Sequence, residues 1–171
     1  ILEIIRFSSK LSSTSEYNFV PIFWMATEDH DYEEISDVSL FGKKISCPGE
    51  NRGPVGRIPR AYFINFLREV ENVLGSDDRF KEIKKEISDS FNNNKTLAEI
   101  TRSFVRSLFS EQGLLIIDGD DEILKKQFSK IAIQEVNNQT SYKAVNKQIS
   151  LLSNYKIQVK PRDINLFYIE N

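Results

Sequence analysis

Hydrophobic residues along the chain follow two patterns, one typical of buried strands and one typical of amphipathic helices. Residues 19–25 (FVPIFWM) and 114–118 (LLIID) are short, continuous apolar runs, as expected for parallel strands that are buried on both faces. Most of the chain between and after them has helical spacing instead. Because strands alternate with helices, the sequence predicts an α/β fold with a mainly parallel sheet flanked by helices.

The helical pattern places apolar residues three and four positions apart. It predicts helices over residues 1–11, 62–74, 80–91, 97–108, 124–131 and 145–152. Gly75 and Gly113 are placed to end two of these helices, because glycine readily adopts the left-handed conformation common at helix C-termini. Thr96 and Glu99 have the spacing of a capping box at the start of the 97–108 helix.

The remaining segments are predicted as strands and loops. Residues 38–47 form a β-hairpin or a bent strand that turns near Gly42, and the Gly/Pro-rich residues 48–59 form a surface loop. Residues 155–159 (YKIQV) and 165–169 (NLFYI) have the composition of two further strands at the end of the chain.

Several features indicate that the domain is incomplete. The sequence contains only two strands of the fully buried kind, whereas a typical open sheet has about four to six strands. The chain begins at Ile1, and its only methionine, Met25, lies inside the first predicted strand. We therefore expect residues 1–171 to be part of one core domain and a fragment of a longer protein.

Composition excludes several classes of function. With 23 basic and 25 acidic residues the net charge is −2, so we expect no nucleic-acid partner and no anionic-membrane partner. No apolar run approaches the roughly 18 residues of a membrane span. The single cysteine, Cys47, excludes an internal disulfide and a Cys-based zinc site, and we expect a free thiol in a cytoplasmic protein.

The most unusual stretch follows the first predicted strand and holds the only histidine, His30, among Glu28, Asp29 and Asp31. In open α/β sheets, ligands bind just beyond the carboxyl ends of the strands. Carboxylates next to a histidine can orient its ring and adjust its proton affinity. We therefore predict that His30 acts in acid–base chemistry, with the three carboxylates orienting its ring, and a divalent-metal site at this turn is the open alternative.

A purely structural interpretation competes with this hypothesis. Asp31 and Glu34 have capping-box spacing for a short helix over about residues 32–36, and carboxylates there complement the helix dipole. This interpretation explains His30 poorly, because an imidazolium at a helix N-terminus opposes the dipole.

Two further segments hold candidate binding residues. Asp118 ends the second buried strand and Asp120 follows in the next turn, where helix capping is the alternative role. Arg162 and Asn165 frame a turn near the end of the chain and can hold a carboxylate or phosphate, although a solvated turn explains them as well. Arg52, Arg57 and the glycines of the Gly/Pro-rich loop can bind an anion, and a flexible loop explains them as well.

The motif VPIFWMATEDHDYEEI resembles the signature of the cysteine ligases of bacillithiol biosynthesis, the BshC family. GLLIIDGDDEILKKQF, NNQTSY and YKIQVKPRDINLFYIEN are similar to later segments of that family, in the same order. The resemblance covers most of the chain. It implies a Rossmann-like core, of which this chain is one part.

The resemblance also implies an activity, the addition of cysteine to glucosaminyl malate through an amide bond, which yields the low-molecular-weight thiol bacillithiol. An ATP-type nucleotide with Mg²⁺ is the expected energy source, because forming an amide from a free carboxylate is thermodynamically unfavourable. For such a ligase we expect His30 to serve as an acid–base or leaving-group partner, with Glu28, Asp29 and Asp31 orienting it, the incoming amine or Mg²⁺. The common phosphate-binding loops are absent from the sequence. The HxGH motif of nucleotidyl-transferring enzymes is absent as well, and EDHD stands at a comparable strand end. A homodimer through a helical region absent from this chain is a further expectation.

Two alternatives to the ligase hypothesis remain open on the sequence. The chain can be a non-catalytic nucleotide- or partner-binding α/β module whose active site lies elsewhere in a larger protein. It can also be a metal-assisted hydrolase that uses the carboxylates around His30, although the sequence does not identify metal ligands.

Overall fold

The computed structural model describes residues 1–49, 53–152, 154–164 and 166. These residues belong to two compact units, Ile1–Asp120 and Asp121–Asn171. The helices and strands of the first unit are, in chain order, α1 (Leu2–Thr14), β1 (Ile22–Met25), β2 (Asp37–Leu40), β3 (Lys43–Ser46), α2 (Ile64–Leu74), α3 (Lys81–Asn92), α4 (Leu97–Phe109) and β4 (Leu115–Asp118). Short 3₁₀ turns lie at Tyr32–Ile35, Val55–Arg57, Arg60–Phe63, Asp78–Phe80 and Ser110–Gln112.

The two apolar runs form the predicted parallel strands. β1 pairs with β4, from Ile22 opposite Leu115 to Met25 opposite Asp118. β1 begins only after Pro21, which has no N–H to donate, while the Pro21 carbonyl accepts a hydrogen bond from the Leu115 N–H at 3.0 Å. Because the strands are parallel, their carboxyl ends lie side by side at one edge of the sheet. The predicted α/β arrangement is therefore confirmed.

One detail of the strand prediction is wrong. Met25 is buried, but Ile22 is 49% exposed, Trp24 52% and Leu115 53%. These side chains lie on a part of the sheet that no described element of the first unit covers fully. The apolar runs therefore identify the strands correctly, while burial on both faces is not reached in the described chain.

The hairpin and the helices enclose the main core of the first unit. β2 and β3 pair antiparallel, and their turn uses the left-handed residues Phe41 (φ 49°) and Gly42 (φ 79°), as predicted for a turn near Gly42. The buried core consists of Tyr32, Cys47, Val55, Ile58, Phe63 and Phe91, with Phe66, Leu67, Leu97 and Ile100 packed against it. Burying each large apolar side chain contributes about 1.5–3 kcal/mol.

Helix ends in the first unit follow the predicted signals. Glu99 accepts hydrogen bonds from the Thr96 N–H, and the Thr96 hydroxyl accepts one from the Glu99 N–H, which forms the predicted capping box of α4. Gly75 follows the last residue of α2 at φ 65°, and Gly113 closes the turn after α4 at φ 72°. Positive φ explains glycine at both positions.

The prediction of a surface loop over residues 48–59 is wrong for its second half. Val55, Gly56 and Ile58 are buried. The Val55 N–H donates to the Asp29 carbonyl at 2.7 Å, and the Ile58 carbonyl accepts from the Leu97 N–H at 2.9 Å. Burial of two apolar side chains and pairing of the backbone outweigh the flexibility of the Gly/Pro-rich composition.

The second unit consists of α5 (Glu122–Gln127), α6 (Ser129–Asn138) and α7 (Thr140–Leu151). Asp121 caps α5 by accepting hydrogen bonds from the N–H groups of Ile123 and Leu124, at 2.8 and 3.0 Å. The predicted 124–131 helix is interrupted at Phe128, which separates α5 from α6.

The end of the chain differs from the prediction. Residues 155–159 do not form the predicted strand, because a strand needs a paired neighbour and the described residues of this unit contain none. Most of the other predicted strand, 165–169, lies outside the described residues. In the described part of the chain, no helix combines the length and apolar character needed to cross a membrane.

Candidate active site at the carboxyl ends of the parallel strands

Two segments meet where β1 and β4 end. The Gly119 N–H donates to the Met25 carbonyl at 3.0 Å, so hydrogen bonding between the segments continues past the last strand residue. The Thr27 hydroxyl donates to Asp118 Oδ1. The Asp120 N–H in turn donates to Thr27 Oγ1 at 3.1 Å and to Asp118 Oδ1 at 3.0 Å. Thr27, Asp118 and Asp120 therefore meet where the two strands end.

Helix α4 supplies the counter-charge of Asp118. Arg102 Nη2 lies 2.6 Å from Asp118 Oδ2. The Asp118 side chain is only 14% exposed, whereas Arg102 is 44% exposed. Both oxygens of Asp118 are therefore hydrogen-bonded, one to Thr27 and the Asp120 backbone and the other to a guanidinium. Charge-assisted hydrogen bonds of this kind hold both partners in a defined orientation.

A second arginine holds Asp120 in a bidentate pair. Arg57 Nε lies 2.5 Å from Asp120 Oδ2, and Arg57 Nη2 lies 3.1 Å from Oδ1. The Asp120 side chain is 12% exposed and that of Arg57 is 50% exposed. The turn at Val55–Arg57, whose first two residues are buried, brings this arginine to the strand ends. We call Thr27, Arg57, Arg102, Asp118 and Asp120 the carboxyl-edge network.

Two glycines permit the close packing of this region. The Gly56 N–H donates to the Thr27 carbonyl at 3.0 Å, and a Cβ at Gly56 would lie 2.5 Å from the Thr27 Cβ. A Cβ at Gly119 would overlap the carboxylate of Glu28. The segment Thr27–Glu28 therefore lies between two backbone positions that have no room for a side chain.

Glu28 is the least satisfied carboxylate at this edge. Its side chain is half-buried, its Oε2 atom is fully buried, and no group in the described chain donates a hydrogen bond to Oε2. Asp118 and Asp120, by contrast, each have an arginine partner. The predicted catalytic role of Glu28 stays a prediction, and the structure places this residue next to the network.

The other predicted catalytic residues lie on an exposed turn. Asp29 Oδ1 accepts hydrogen bonds from the backbone N–H groups of His30, at 2.7 Å, and Asp31, at 3.2 Å. Asp29 therefore stabilises the turn in the way that aspartate side chains commonly do. The catalytic roles of His30, Asp29 and Asp31 stay predictions.

The predicted capping box of Asp31 and Glu34 is wrong. Asp31 precedes the 3₁₀ turn Tyr32–Ile35, but its side chain makes no capping hydrogen bond. Asp29, two residues earlier, already accepts from the Asp31 N–H, so the turn is stabilised from a different position. The predicted helical turn itself is present.

The last two predicted binding residues belong to the second unit. Arg162 lines a pocket of about 380 Å³ with Ser141, Tyr142 and Lys160. The composition of this pocket suits an anionic group, and the predicted role of Arg162 stays a prediction. Asn165 and the anion-site candidate Arg52 lie outside the described residues.

The described side chains do not fit a resident metal centre. No three of the described histidine, cysteine, aspartate and glutamate side chains are grouped so that they could hold a metal ion. Asp118 and Asp120, which are well placed in the chain for that role, are instead bound to arginines. The hypothesis of a metal-assisted hydrolase therefore lacks a preformed site in the described residues.

Sequence reasoning missed Thr27, Arg102 and Gly119 as parts of the site and left the role of Arg57 open. Arg102 lies in the middle of a helix, where an arginine normally indicates only a solvated face. Its partner Asp118 is sixteen positions away, and Arg57 and Asp120 are 63 positions apart. The one local signal was the position of Thr27, two residues after the end of a predicted strand.

Comparison with known proteins identifies similar chains. Residues 1–171 match the family described as bacillithiol biosynthesis BshC, N-terminal Rossmann-like domain. A relative from Flavobacterium johnsoniae is 45% identical over 100% of this chain and 32% of its own length. Relatives from Flavobacterium psychrophilum and Cytophaga hutchinsonii are 47% and 37% identical over 91% and 92% of this chain, and over 29% and 28% of their own lengths.

All three relatives are named "Putative cysteine ligase BshC". The chain spans about a third of the length of these curated relatives, with 32% of the first of them covered. The family match confirms the predicted Rossmann-like fold and the resemblance found in the sequence motifs.

Proposed function

The chain belongs to the BshC family of bacillithiol biosynthesis, as its N-terminal Rossmann-like domain, and we propose that it provides part of the active site of a cysteine ligase. In this proposal the whole protein adds cysteine to glucosaminyl malate by forming an amide bond. The substrates are small molecules. The names of the relatives support the ligase activity. An amide-forming reaction needs charged groups held in fixed positions, and the carboxyl-edge network contains such groups.

The observation that carries the proposal is the arrangement of charges where β1 and β4 end. Two arginines, Arg57 and Arg102, lie there with half-exposed side chains, each fixed by a nearly buried aspartate. Ligands of open α/β sheets bind at this edge. Oriented charges in a fixed frame stabilise a developing charge without reorganisation during the reaction.

Amide formation suggests a specific role for each charged residue near the ends of β1 and β4. An amine attacks an activated carboxyl carbon and the C–N bond forms. The bond from that carbon to the activating group breaks, the leaving group departs as an anion with the electron pair, and the nitrogen loses a proton. Glu28 and His30, which both follow β1, are our candidates for binding the amine and accepting that proton. The guanidinium groups of Arg57 and Arg102 are suited to hold carboxylate or phosphate groups of the reactants.

An ATP-type nucleotide would supply the activation of the carboxylate when bound. We place no resident Mg²⁺ in this domain, because the described side chains do not group around a metal position. A homodimer formed through a helical region absent from this chain is also part of the proposal. Light scattering on a full-length family member that contains this domain would measure its oligomeric state.

The test of the proposal is product formation by such a full-length protein. Incubation with cysteine, glucosaminyl malate and ATP, followed by mass spectrometry, is expected to show bacillithiol that disappears when any one component is left out. Asp118→Asn is expected to lower kcat/KM by about tenfold to a hundredfold, because it disturbs groups that must be held precisely. Asp78→Asn, in an exposed turn, is the matched control.

The outcomes separate the hypotheses. Absence of product from the wild-type protein under these conditions would contradict the ligase proposal. Wild-type turnover in a folded Asp118→Asn variant would instead favour a binding module whose catalytic residues lie in other parts of the protein. His30→Ala and Asp31→Asn test the predicted acid–base role, which is wrong if both folded variants keep wild-type turnover.

A further inference from the structure

The carboxylate of Glu28 is distinct from the two aspartates next to it. Asp118 and Asp120 are neutralised by arginines at 2.6 and 2.5 Å. Glu28 Oε2 is buried from solvent and receives no hydrogen bond from the described chain. Buried polar atoms in folded proteins are almost always paired, and an unpaired one at the end of a strand needs an explanation.

The position of this carboxylate is set by the backbone rather than by flexible side chains. Glu28 lies against Gly119, where even a single added Cβ would overlap its carboxylate. Gly119 is itself fixed, because its N–H donates to the Met25 carbonyl at 3.0 Å. The carboxylate is therefore held where both strands end, which is the edge at which ligands of this fold bind.

We propose that the partly exposed carboxylate of Glu28 accepts a hydrogen bond from a primary amino group of a substrate, and that Gly119, by having no side chain, leaves the carboxylate room in this position. This inference rests on the proposed function, in which one substrate attacks through an amine. An anion next to Glu28 would be repelled by its carboxylate. A metal ion would need further ligands, and the described acidic, histidine and cysteine side chains do not provide a group of three.

Both substrates of the proposed reaction carry a primary amino group. One is the amino group of glucosaminyl malate and the other is the α-amino group of cysteine. Both can donate two or three hydrogen bonds to a carboxylate, and the charged form gives the stronger interaction. Binding experiments with matched N-acetylated compounds distinguish these two sources.

The experiment uses isothermal calorimetry on a full-length family member that contains this domain. Glucosaminyl malate, cysteine and the N-acetylated form of each are titrated into the wild-type protein and into Glu28→Gln. We expect one of the two amines to bind the variant about tenfold or more weakly, with little change for its N-acetylated form. Glu34→Gln, on an exposed turn, is the control.

A double-mutant cycle tests the positioning role of Gly119. Gly119→Ala is expected to weaken binding of the same amine by a similar factor in the wild-type background. In a Glu28→Ala background, which has no carboxylate to displace, Gly119→Ala is expected to change affinity by less than about twofold. Equal effects in both backgrounds would show that Gly119 acts independently of Glu28 and would overturn its positioning role.

Thermal denaturation checks that each variant is folded. If Glu28→Gln does not fold, Glu28→Asp takes its place. The shorter side chain keeps the charge but moves the carboxylate away from Gly119, so the same loss of amine affinity is expected. Unchanged amine affinity in a folded Glu28 variant, or a wild-type protein that binds neither amine, would overturn the inference. Amine binding through Glu28 without product formation would instead contradict only the proposed ligase reaction.

Discussion

Arg102 Nη2 on helix α4 lies 2.6 Å from Asp118 Oδ2 at the end of β4, so the helix and the sheet are joined at the candidate active site. Arg102→Ala is expected to lower the free energy of unfolding by about 1–3 kcal/mol, because a nearly buried carboxylate oxygen loses its hydrogen-bond donor. Urea denaturation measures this change.

Arg106→Ala provides the matched control for this variant. Arg106 lies one turn further along the same helix and is exposed. Its substitution is expected to change the free energy of unfolding by less than about 0.5 kcal/mol. Equal effects of the two substitutions would contradict a specific structural role for the Arg102–Asp118 pair.

Arg57 and Asp120 form a fork that a lysine cannot reproduce, since an ammonium group does not donate two parallel hydrogen bonds to one carboxylate. Arg57→Lys is expected to keep the net charge and to cost about 1 kcal/mol of stability or less, because Arg57 is half-exposed. The same variant is expected to lower kcat/KM for bacillithiol formation by about tenfold or more.

Steady-state kinetics on the full-length protein, with Arg68→Lys as an exposed control, measures the catalytic part of this prediction. A folded Arg57→Lys variant with unchanged kcat/KM would show that charge alone is sufficient at this position.

Gly56 is expected to be intolerant of even the smallest side chain. Gly56→Ala forces a Cβ to within 2.5 Å of the Thr27 Cβ, in a region where Thr27 is only 6% exposed. We expect a loss of about 1–3 kcal/mol in the free energy of unfolding, as is typical of overpacked sites. Differential scanning calorimetry measures the loss, and Ser39→Ala on the exposed hairpin is the comparison.

A Gly56→Ala protein that unfolds at the wild-type temperature would contradict the close packing of the turn against the end of β1. The prediction is specific to this turn, because a Cβ at Gly42 would meet no atom within 4 Å, and only the left-handed backbone favours glycine there.

Tyr32 gives the fold a defined response to alkaline pH. Burial, together with the neighbouring Cys47 and Tyr62, raises the pKa of Tyr32 well above its usual value of 10.0. Above pH 10 the unfolded chain releases this proton while the folded chain keeps it, so the free energy of unfolding falls as pH rises. Below pH 10 the contribution of Tyr32 is fully present.

The measurement compares urea denaturation of the wild type and Tyr32→Phe between about pH 8 and pH 11. Tyr32→Phe is expected to be less stable at pH 8, because it lacks the hydrogen bond that the Tyr32 hydroxyl donates to the Cys47 carbonyl at 2.7 Å. Its stability is expected to depend less on pH above pH 10. Parallel pH dependences of the two proteins would contradict the raised pKa.

The elements that sequence alone predicted share one property, a periodic or continuous apolar pattern. LLIID identified β4, and the stripes that became α2, α3 and α4 were correct within a few residues. The capping box of Thr96 and Glu99 is a local signal and was equally visible. In each case the information lies within a few neighbouring positions.

The features of the fold and of the candidate site that sequence alone did not predict depend on contacts between residues far apart in the chain. Val55 and Ile58 give no periodic signal in a Gly/Pro-rich segment, yet they are buried in the core. Arg57 reaches Asp120 across 63 positions, and only the folded chain brings the two together. The prediction for residues 155–159 was wrong because apolar composition alone does not supply a neighbouring strand.

Cys47 is the only cysteine of the chain, and its thiol lies in the core at 7% exposure, 3.6 Å from the Tyr62 carbonyl. Exchange between a thiol and a disulfide requires that the attacking sulfur be accessible as a thiolate. If the proposed function holds, the protein handles cysteine and a thiol product, and an accessible thiol would form mixed disulfides by exchange with the oxidised, disulfide forms of these thiols. The packing around Cys47 keeps the one sulfhydryl group of the domain out of that exchange.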